Sequence, residues 1–195
     1  PTLRGYTGPV IKIYNGANPA AIKEDSYTDE EITALKTELG KKPGEVWLVN
    51  TARLVHQKAF DVVIRSLVHL PTHVKFLVVG QGEDELMLRK LTNELRLTDR
   101  VIFTGHVDRG VVTKYRLVSD IFVMPSRSEG LGNASLSARA SRLPFITTAI
   151  DGMTEHSFAT DAESPFGRTA WVVPVDDPEA IATAVEDILA HPEEA

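Results

Sequence analysis

Short apolar runs alternate along the chain with longer segments in which apolar residues recur at helical spacing. The runs are rich in valine and isoleucine and predict strands at residues 10–14, 46–52, 74–80, 101–105, 121–125, 145–148 and 170–174. Nearly continuous apolar strands are buried on both faces, so they need helices on both sides. This alternation is typical of an α/β protein with a doubly wound parallel sheet.

Capping residues and apolar stripes predict the helices between the strands. Thr28, followed by three acidic residues, predicts an N-cap for a helix that runs to Leu39 and stops at Gly40. Asp177 before Pro178 predicts the start of a final helix. Two middle helices are predicted from their stripes, Phe60, Ile64, Leu67 and Val68 in the first and Leu86, Leu88, Leu91 and Leu95 in the second.

Glycines and prolines concentrate in the first residues, which read as an entry segment over residues 1–28. Residues 29–195 then form the predicted doubly wound domain, with no repeat, low-complexity tract or linker inside residues 40–190. Both ends of the sequence suit a piece of a longer protein.

Composition narrows the possible functions. The net charge of −6 and the pI near 5.5 argue against a general nucleic-acid or anionic-membrane binder, so any anion site must be local. There is no cysteine, which rules out disulfides and thiolate metal sites. No apolar run is long enough for a transmembrane helix, and residues 1–10 do not resemble a signal peptide. We therefore expect a cytoplasmic protein.

Ligands of open parallel sheets bind beyond the carboxyl ends of the strands, and the first such loop carries two cations. Arg53 and Lys58 follow the strand at 46–52, and Lys58 is predicted to begin the next helix, where the helix dipole disfavours cations unless an anion offsets them. A bound phosphate would supply that anion. The alternative is a solvated pair in which Arg53 binds a nearby carboxylate.

The loops after the next two strands carry glycines. Gly80 and Gly82 either let the backbone approach a ligand or simply make a tight turn. A dinucleotide loop would need a third glycine where Glu85 stands, and the neighbouring acids would repel a diphosphate, which argues against a nicotinamide-dependent oxidoreductase. Gly105 and His106 follow the strand at 101–105, where His106 is either an exposed loop residue or part of a base pocket.

The segment at residues 125–140, "PSRSEGLGNASLSARA", combines a carboxylate with a glycine-rich helix start. Gly130 and Gly132 free backbone amides to hold an anion, while Glu129 can accept hydrogen bonds from hydroxyl groups. Together these groups suit a sugar phosphate. The alternative is that Glu129 caps the helix and the glycines only make the turn.

In combination, these motifs resemble a known enzyme family. "NTARLVHQKAFD" is similar to the "GRL…KG" segment, and "PSRSEGLGNASLSARA" to the "PS…EGFG…LEAMA" segment, of the retaining glycosyltransferases called family four. "IYNG", "FLVVGQGED", "VIFTGHV" and "AWVVPVDDPEAIATAVEDIL" resemble further markers of that family in the same order. The resemblance implies the C-terminal, Rossmann-like half of a two-domain GT-B fold, which binds a nucleoside diphosphate sugar.

The resemblance also implies residue roles. Arg53 and Lys58 would bind the donor diphosphate and stabilise it as a leaving group, and Glu129 would contact the sugar. These three are the candidate catalytic residues. The candidate substrate-binding residues are Gly80, Gly82, Gly105, His106, Gly130, Leu131, Gly132, Asn133 and Ser137. The family needs no metal or other cofactor, so the donor would be bound without one. The acceptor, a glycan, a lipid or a small molecule, would bind to an N-terminal domain that this chain lacks, and the full-length protein could lie at the inner face of a membrane.

The sequence departs from the family pattern at several positions. Ala52, Ala59 and Asp151 replace glycines, while Glu155 matches the glutamate of the family's "GG..E". The larger departure is Ser137, because the pattern places there a second glutamate that usually binds the ribose. Losing a charged hydrogen bond costs about 1.5–3 kcal/mol. A degenerate nucleotide-binding or scaffold domain of the same fold is therefore the alternative to an active hexosyltransferase of carbohydrate biosynthesis.

Overall fold

The computed structural model describes residues 27–108, 110–129, 141, 143–150 and 170–192. Six of its strands form one parallel sheet in the order β3-β2-β1-β4-β5-β6, which confirms the predicted doubly wound, Rossmann-like α/β fold. The strands are β1 (Val46–Thr51), β2 (Val74–Val79), β3 (Val101–Gly105), β4 (Ile121–Met124), β5 (Phe145–Thr148) and β6 (Trp171–Val173). The predicted strand at 10–14 lies outside the described residues.

Helices cover both faces of the sheet. The described helices are α1 (Asp29–Glu38), α2 (Phe60–Ser66), α3 (Glu85–Glu94), α4 (Val112–Leu117) and α5 (Pro178–Ala190), with 3₁₀ turns at His56–Lys58 and Leu67–His69. Helices α2, α3 and α5 pack on the face that carries Leu48, and α1 and α4 pack on the face that carries Trp47 and Val49. Alternation along β1 places Asn50 on the Leu48 face, where its side-chain amide is fully buried and has no hydrogen-bond partner among the described residues.

The capping residues mark the helix ends as the sequence predicts. The Thr28 hydroxyl accepts from the Glu31 amide while the Glu31 carboxylate accepts from the Thr28 amide, which forms a capping box. The Asp177 side chain accepts from the Ala180 amide at the start of α5.

Two residues of the predicted apolar stripes are exposed rather than buried. Val68 lies in the 3₁₀ turn after α2, and the tighter winding of that turn carries its side chain away from the core. Leu86 is 84% exposed in the first turn of α3, whereas Leu88 and Leu91 are buried.

Ion pairs and hydrogen bonds fasten the amino ends of the strands. Glu45, just before β1, binds Lys75 of β2 (2.7 Å) and accepts from the Trp47 indole (2.9 Å) and the Lys42 amide (3.0 Å). Burial alone would raise the pKa of Glu45, but these partners outweigh it and lower the pKa to about 2. Arg100 donates to the carbonyl groups of three residues there, Leu67, Pro71 and Val74.

Candidate active site at the carboxyl edge of the sheet

The loops that follow β1 and β2 are hydrogen-bonded to each other. The Leu54 amide donates to the Gln81 carbonyl (3.0 Å), and the Asp84 amide donates to the Leu54 carbonyl (3.1 Å). A Cβ atom at Gly80 or Gly82 would lie 2.1 Å from a carbonyl oxygen of the β1 loop. The close approach that these glycines permit is therefore to the chain itself, and it holds the two loops in register.

A cleft of about 570 Å³ opens between these loops and the residues that follow β3. Its lining residues come from four segments and are Thr51, Ala52, Arg53, Val79, Gly80, Gln81, Gly82, His106, Val107 and Val112. The Arg53 side chain is 71% exposed and lies 3.6 Å from the equally exposed carboxylate of Glu83. The Gly105 carbonyl, at the end of β3, accepts from the Gly80 amide (3.0 Å) and thereby supports the floor of this region.

Lys58 and Glu129 meet where the strand order reverses. Lys58 follows β1 and Glu129 follows β4, two strands that are adjacent although 71 residues separate the two side chains. The ammonium group of Lys58 donates to Glu129 Oε1, which also accepts from the Ser126 hydroxyl (3.0 Å). The two side chains are 20% and 8% exposed, so a nearly buried ion pair stands at the position where open α/β sheets bind ligands.

The second carboxylate oxygen, Oε2, receives no hydrogen bond from the described residues. Lysine also has three N–H donors, of which the Glu129 contact uses one. As far as the described residues go, the pair therefore keeps both a donor and an acceptor for a ligand that carries an anionic group beside a hydroxyl group.

Lys58 does not begin the helix, as the sequence suggests, but ends the 3₁₀ turn before it. Ala59 then adopts a left-handed conformation (φ 53°), and α2 begins at Phe60 without a side-chain cap. Ala59 stands where the resembled family has glycine, the residue that adopts this conformation at the lowest steric cost.

The sequence-predicted site residues fall into three sets, apart from Gly105, which is not among the cleft residues and whose carbonyl accepts from the Gly80 amide. Lys58 and Glu129 are in contact, and Arg53, Gly80, Gly82 and His106 line the cleft. Arg53 lies beside a carboxylate, as the alternative interpretation of that loop expects. The candidates Gly130, Leu131, Gly132, Asn133 and Ser137, together with Asp151 and Glu155, lie outside the described residues. Their binding roles stay predictions.

Three polar residues that the sequence reasoning missed lie in the two loops that carry the ion pair, namely Gln57, Ser126 and Arg127. The Ser126 hydroxyl holds Glu129, and the side chain of Gln57 donates to the Ser128 carbonyl (2.7 Å). Arg127 lies between Ser126 and Ser128 in the sequence and forms a bidentate pair with Asp61. The sequence offered one indication of a role for Arg127, which is its position two residues before the candidate carboxylate of Glu129.

Within the described ranges, no cluster of three histidine or acidic side chains is arranged to hold a metal ion. The described helices are also too short or too polar for any of them to cross a membrane.

Comparison with known proteins identifies a family. The model of the family described as glycosyl transferases group 1 matches residues 31–195. A GDP-mannose-dependent α-(1-6)-phosphatidylinositol monomannoside mannosyltransferase of Mycolicibacterium smegmatis is 32% identical over 167 residues, which are 80% of this chain and 41% of that protein. A D-inositol 3-phosphate glycosyltransferase of Mycobacteroides abscessus is 29% identical over 194 residues, and the alignment covers 93% of this chain and 42% of that protein. The chain thus spans less than half the length of these relatives.

Solved structures of glycosyltransferases share the fold. HepE of Anabaena, in complex with UDP and glucose, superposes with a TM-score of 0.80 at 18% identity, over 93% of this chain and 48% of that protein. The C-terminal domain of a glycosyl transferase group 1 protein from Francisella tularensis superposes with a TM-score of 0.72 at 19% identity. That match covers 91% of this chain and 90% of the isolated domain.

Proposed function

The chain belongs to the glycosyl transferases group 1 family, and we propose that it is the donor-binding domain of a retaining glycosyltransferase. It would correspond to the C-terminal half of a two-domain GT-B enzyme. The nearly complete mutual coverage with an isolated C-terminal domain supports this correspondence, as does the larger size of the relatives. The observation that carries the proposal is the Lys58–Glu129 pair at the point where the strand order reverses.

The charges near this point suit the departure of a diphosphate. Cleaving the bond between the sugar and the phosphate places negative charge on the leaving group, and fixed cations lower the barrier when they face that charge. Lys58 is held in place by Glu129, whereas Arg53 is exposed and has only a long contact with Glu83. We expect Arg53 to leave Glu83 when a diphosphate binds, because an exposed ion pair of this kind contributes little. No metal ion is required in this scheme.

Glu129 has a different task from the two cations. With Oε1 occupied by Lys58 and Ser126, Oε2 has no partner among the described residues and would accept a hydrogen bond from a sugar hydroxyl. A carboxylate so close to a phosphate would repel it unless a cation stood between them, and Lys58 is that cation. This arrangement favours a complete nucleotide sugar, in which hydroxyl and phosphate groups are neighbours.

The nucleoside is proposed to occupy the cleft beside His106. The cleft volume of about 570 Å³ falls within the range typical of small-molecule sites. The identity of the base is left to experiment, because one relative uses GDP-mannose and one structural neighbour holds UDP.

A titration of the chain with UDP, GDP and ADP tests donor binding. We expect one diphosphate to bind, and we expect Lys58→Ala and Arg53→Ala each to lower its affinity about tenfold through the loss of a charged hydrogen bond. Lys90→Ala is the matched control, since Lys90 is an exposed lysine of α3 that pairs with Glu94. Binding should be the same with and without EDTA.

The alternative is a degenerate domain that serves as a scaffold, and Ser137 in place of a glutamate is the observation that favours it. A folded chain that binds none of the three diphosphates at millimolar concentration would support the scaffold and contradict donor binding.

The remaining parts of the reaction are assigned to the rest of the protein. The acceptor, a glycan, a lipid or a small molecule, would bind to an N-terminal domain, in the cytoplasm or at the inner face of a membrane. Residues 1–195 alone should therefore have little or no transferase activity. Measurable turnover by this chain with a nucleotide sugar and a simple acceptor would refute that division of labour.

A further inference from the structure

Arg127 connects three loops at the carboxyl edge of the sheet. Its guanidinium group forms two parallel hydrogen bonds with the Asp61 carboxylate (2.9 and 2.7 Å) and a third with Asp176 Oδ1 (2.6 Å). It also donates to the His56 carbonyl (2.7 Å), and its backbone amide donates to the Gln57 carbonyl (2.9 Å). The partners belong to the segments after β1 and β6, whereas Arg127 itself follows β4.

The contacts with Asp61 are largely shielded from solvent and specific in geometry. The side chains of Arg127 and Asp61 are 15% and 20% exposed. The hydrogen bond with Asp61 raises the pKa of Arg127, so the group stays charged at every relevant pH. A planar fork that meets a carboxylate through two bonds fixes both distance and orientation, which a lysine cannot do.

One of the segments that Arg127 joins carries Lys58, the proposed binding residue for the diphosphate, and the other carries Glu129, the partner of Lys58. Lys58 lies between His56 and Asp61, which Arg127 binds, and Glu129 lies two residues beyond Arg127. The segment around Lys58 has little support of its own, because a 3₁₀ turn without a side-chain cap leads into the left-handed Ala59. Its position against the β4 loop must therefore come from contacts with other segments.

We propose that Arg127 is a positioning residue that holds the Lys58 segment against the Glu129 loop, and so keeps Lys58 aligned for the diphosphate. It acts through Asp61 and the carbonyl groups of the 3₁₀ turn and need not touch the donor. The effect on donor affinity rests on the proposed function, whereas the effect on the local structure does not.

Arg127→Lys tests this role, with Arg100→Lys as the matched control. Arg100 is likewise a partly buried arginine, whose side chain donates three hydrogen bonds, but it lies at the amino edge of the sheet. Amide hydrogen exchange and titration with UDP, GDP and ADP would be measured on both variants and the unchanged chain. Asp61→Asn, which breaks the same bidentate pair, is the second variant in case Arg127→Lys does not fold.

In Arg127→Lys or Asp61→Asn, exchange at residues 56–61 and 127–129 should become at least about tenfold faster than in Arg100→Lys, as expected for lost charged bonds. The affinity for the diphosphate should fall about tenfold in these variants and stay unchanged in Arg100→Lys. Unchanged local exchange would overturn the positioning role. Faster exchange with unchanged affinity would overturn its link to the donor. A chain that binds no diphosphate contradicts the proposed function, and the exchange data still decide the role of Arg127.

Discussion

The Lys58–Glu129 pair makes a quantitative prediction about stability. We consider the single substitutions Lys58→Met and Glu129→Gln and the chain that carries both. Lys58→Met leaves a carboxylate that is 8% exposed without its cation, whereas Glu129→Gln leaves an ammonium group that is 20% exposed and can reach water. The first change should therefore cost more than the second.

The free energies known for other ion pairs set limits on the loss of stability expected here. Exposed pairs contribute about 0.2–1 kcal/mol, while removal of one partner from a fully buried pair costs about 3–5 kcal/mol. Because Lys58 is partly exposed, we expect a loss of about 2–4 kcal/mol for Lys58→Met and about 1–2 kcal/mol for Glu129→Gln. The double variant should be more stable than the sum predicts, with a coupling energy of about 1.5–3 kcal/mol.

Urea unfolding of the four chains at pH 7 measures this coupling. The matched control is the same cycle on Lys90 and Glu94, an exposed pair of α3 whose side chains are 78% and 58% exposed, where we expect less than about 0.5 kcal/mol. High salt should weaken the control pair more than the Lys58–Glu129 pair. A Lys58–Glu129 coupling no larger than that of the control would refute the inference that this pair is buried and structurally fixed.

Three further predictions concern other parts of the fold. Glu45→Gln should lower the free energy of unfolding by about 2 kcal/mol at pH 7. In acid unfolding, this difference between the two chains should vanish as the pH falls from about 4.5 to 2. The folded pKa of Glu45 is about 2, below its value of 4.5 in the unfolded chain, so its stabilisation is present above that window. Gly82→Ala should destabilise the fold by at least about 2 kcal/mol, because its Cβ would strike a backbone carbonyl. Gly110→Ala, with open space around it, should change thermal unfolding by less than about 0.5 kcal/mol. Asn50→Leu should raise the free energy of unfolding by about 1–2 kcal/mol, because it removes a buried amide that has no partner in the described part of the chain, and a lower value would show that the amide is satisfied.

Local sequence patterns were sufficient for most elements of the fold. The apolar runs located β1 to β6, and Thr28 and Asp177 marked the starts of α1 and α5, because capping and strand burial depend on neighbouring residues. The same reasoning was wrong for Val68 and Leu86, which are exposed. A stripe drawn at regular helical spacing overlooks the tighter 3₁₀ winding and the edge of the core, both of which depend on tertiary packing.

The amino-acid sequence was enough to assign the family, the strand and helix types, and the loops in which Arg53, Lys58 and Glu129 lie. It could not determine which loops meet. Lys58 and Glu129 are 71 residues apart, and they come together because β1 and β4 are neighbours in a sheet whose order reverses between them. The contacts of Arg127 with Asp61 and Asp176 depend on the same arrangement. Strand order results from how the helices cover the two faces of the whole sheet, so the side chains that form the site are brought together only in the folded chain.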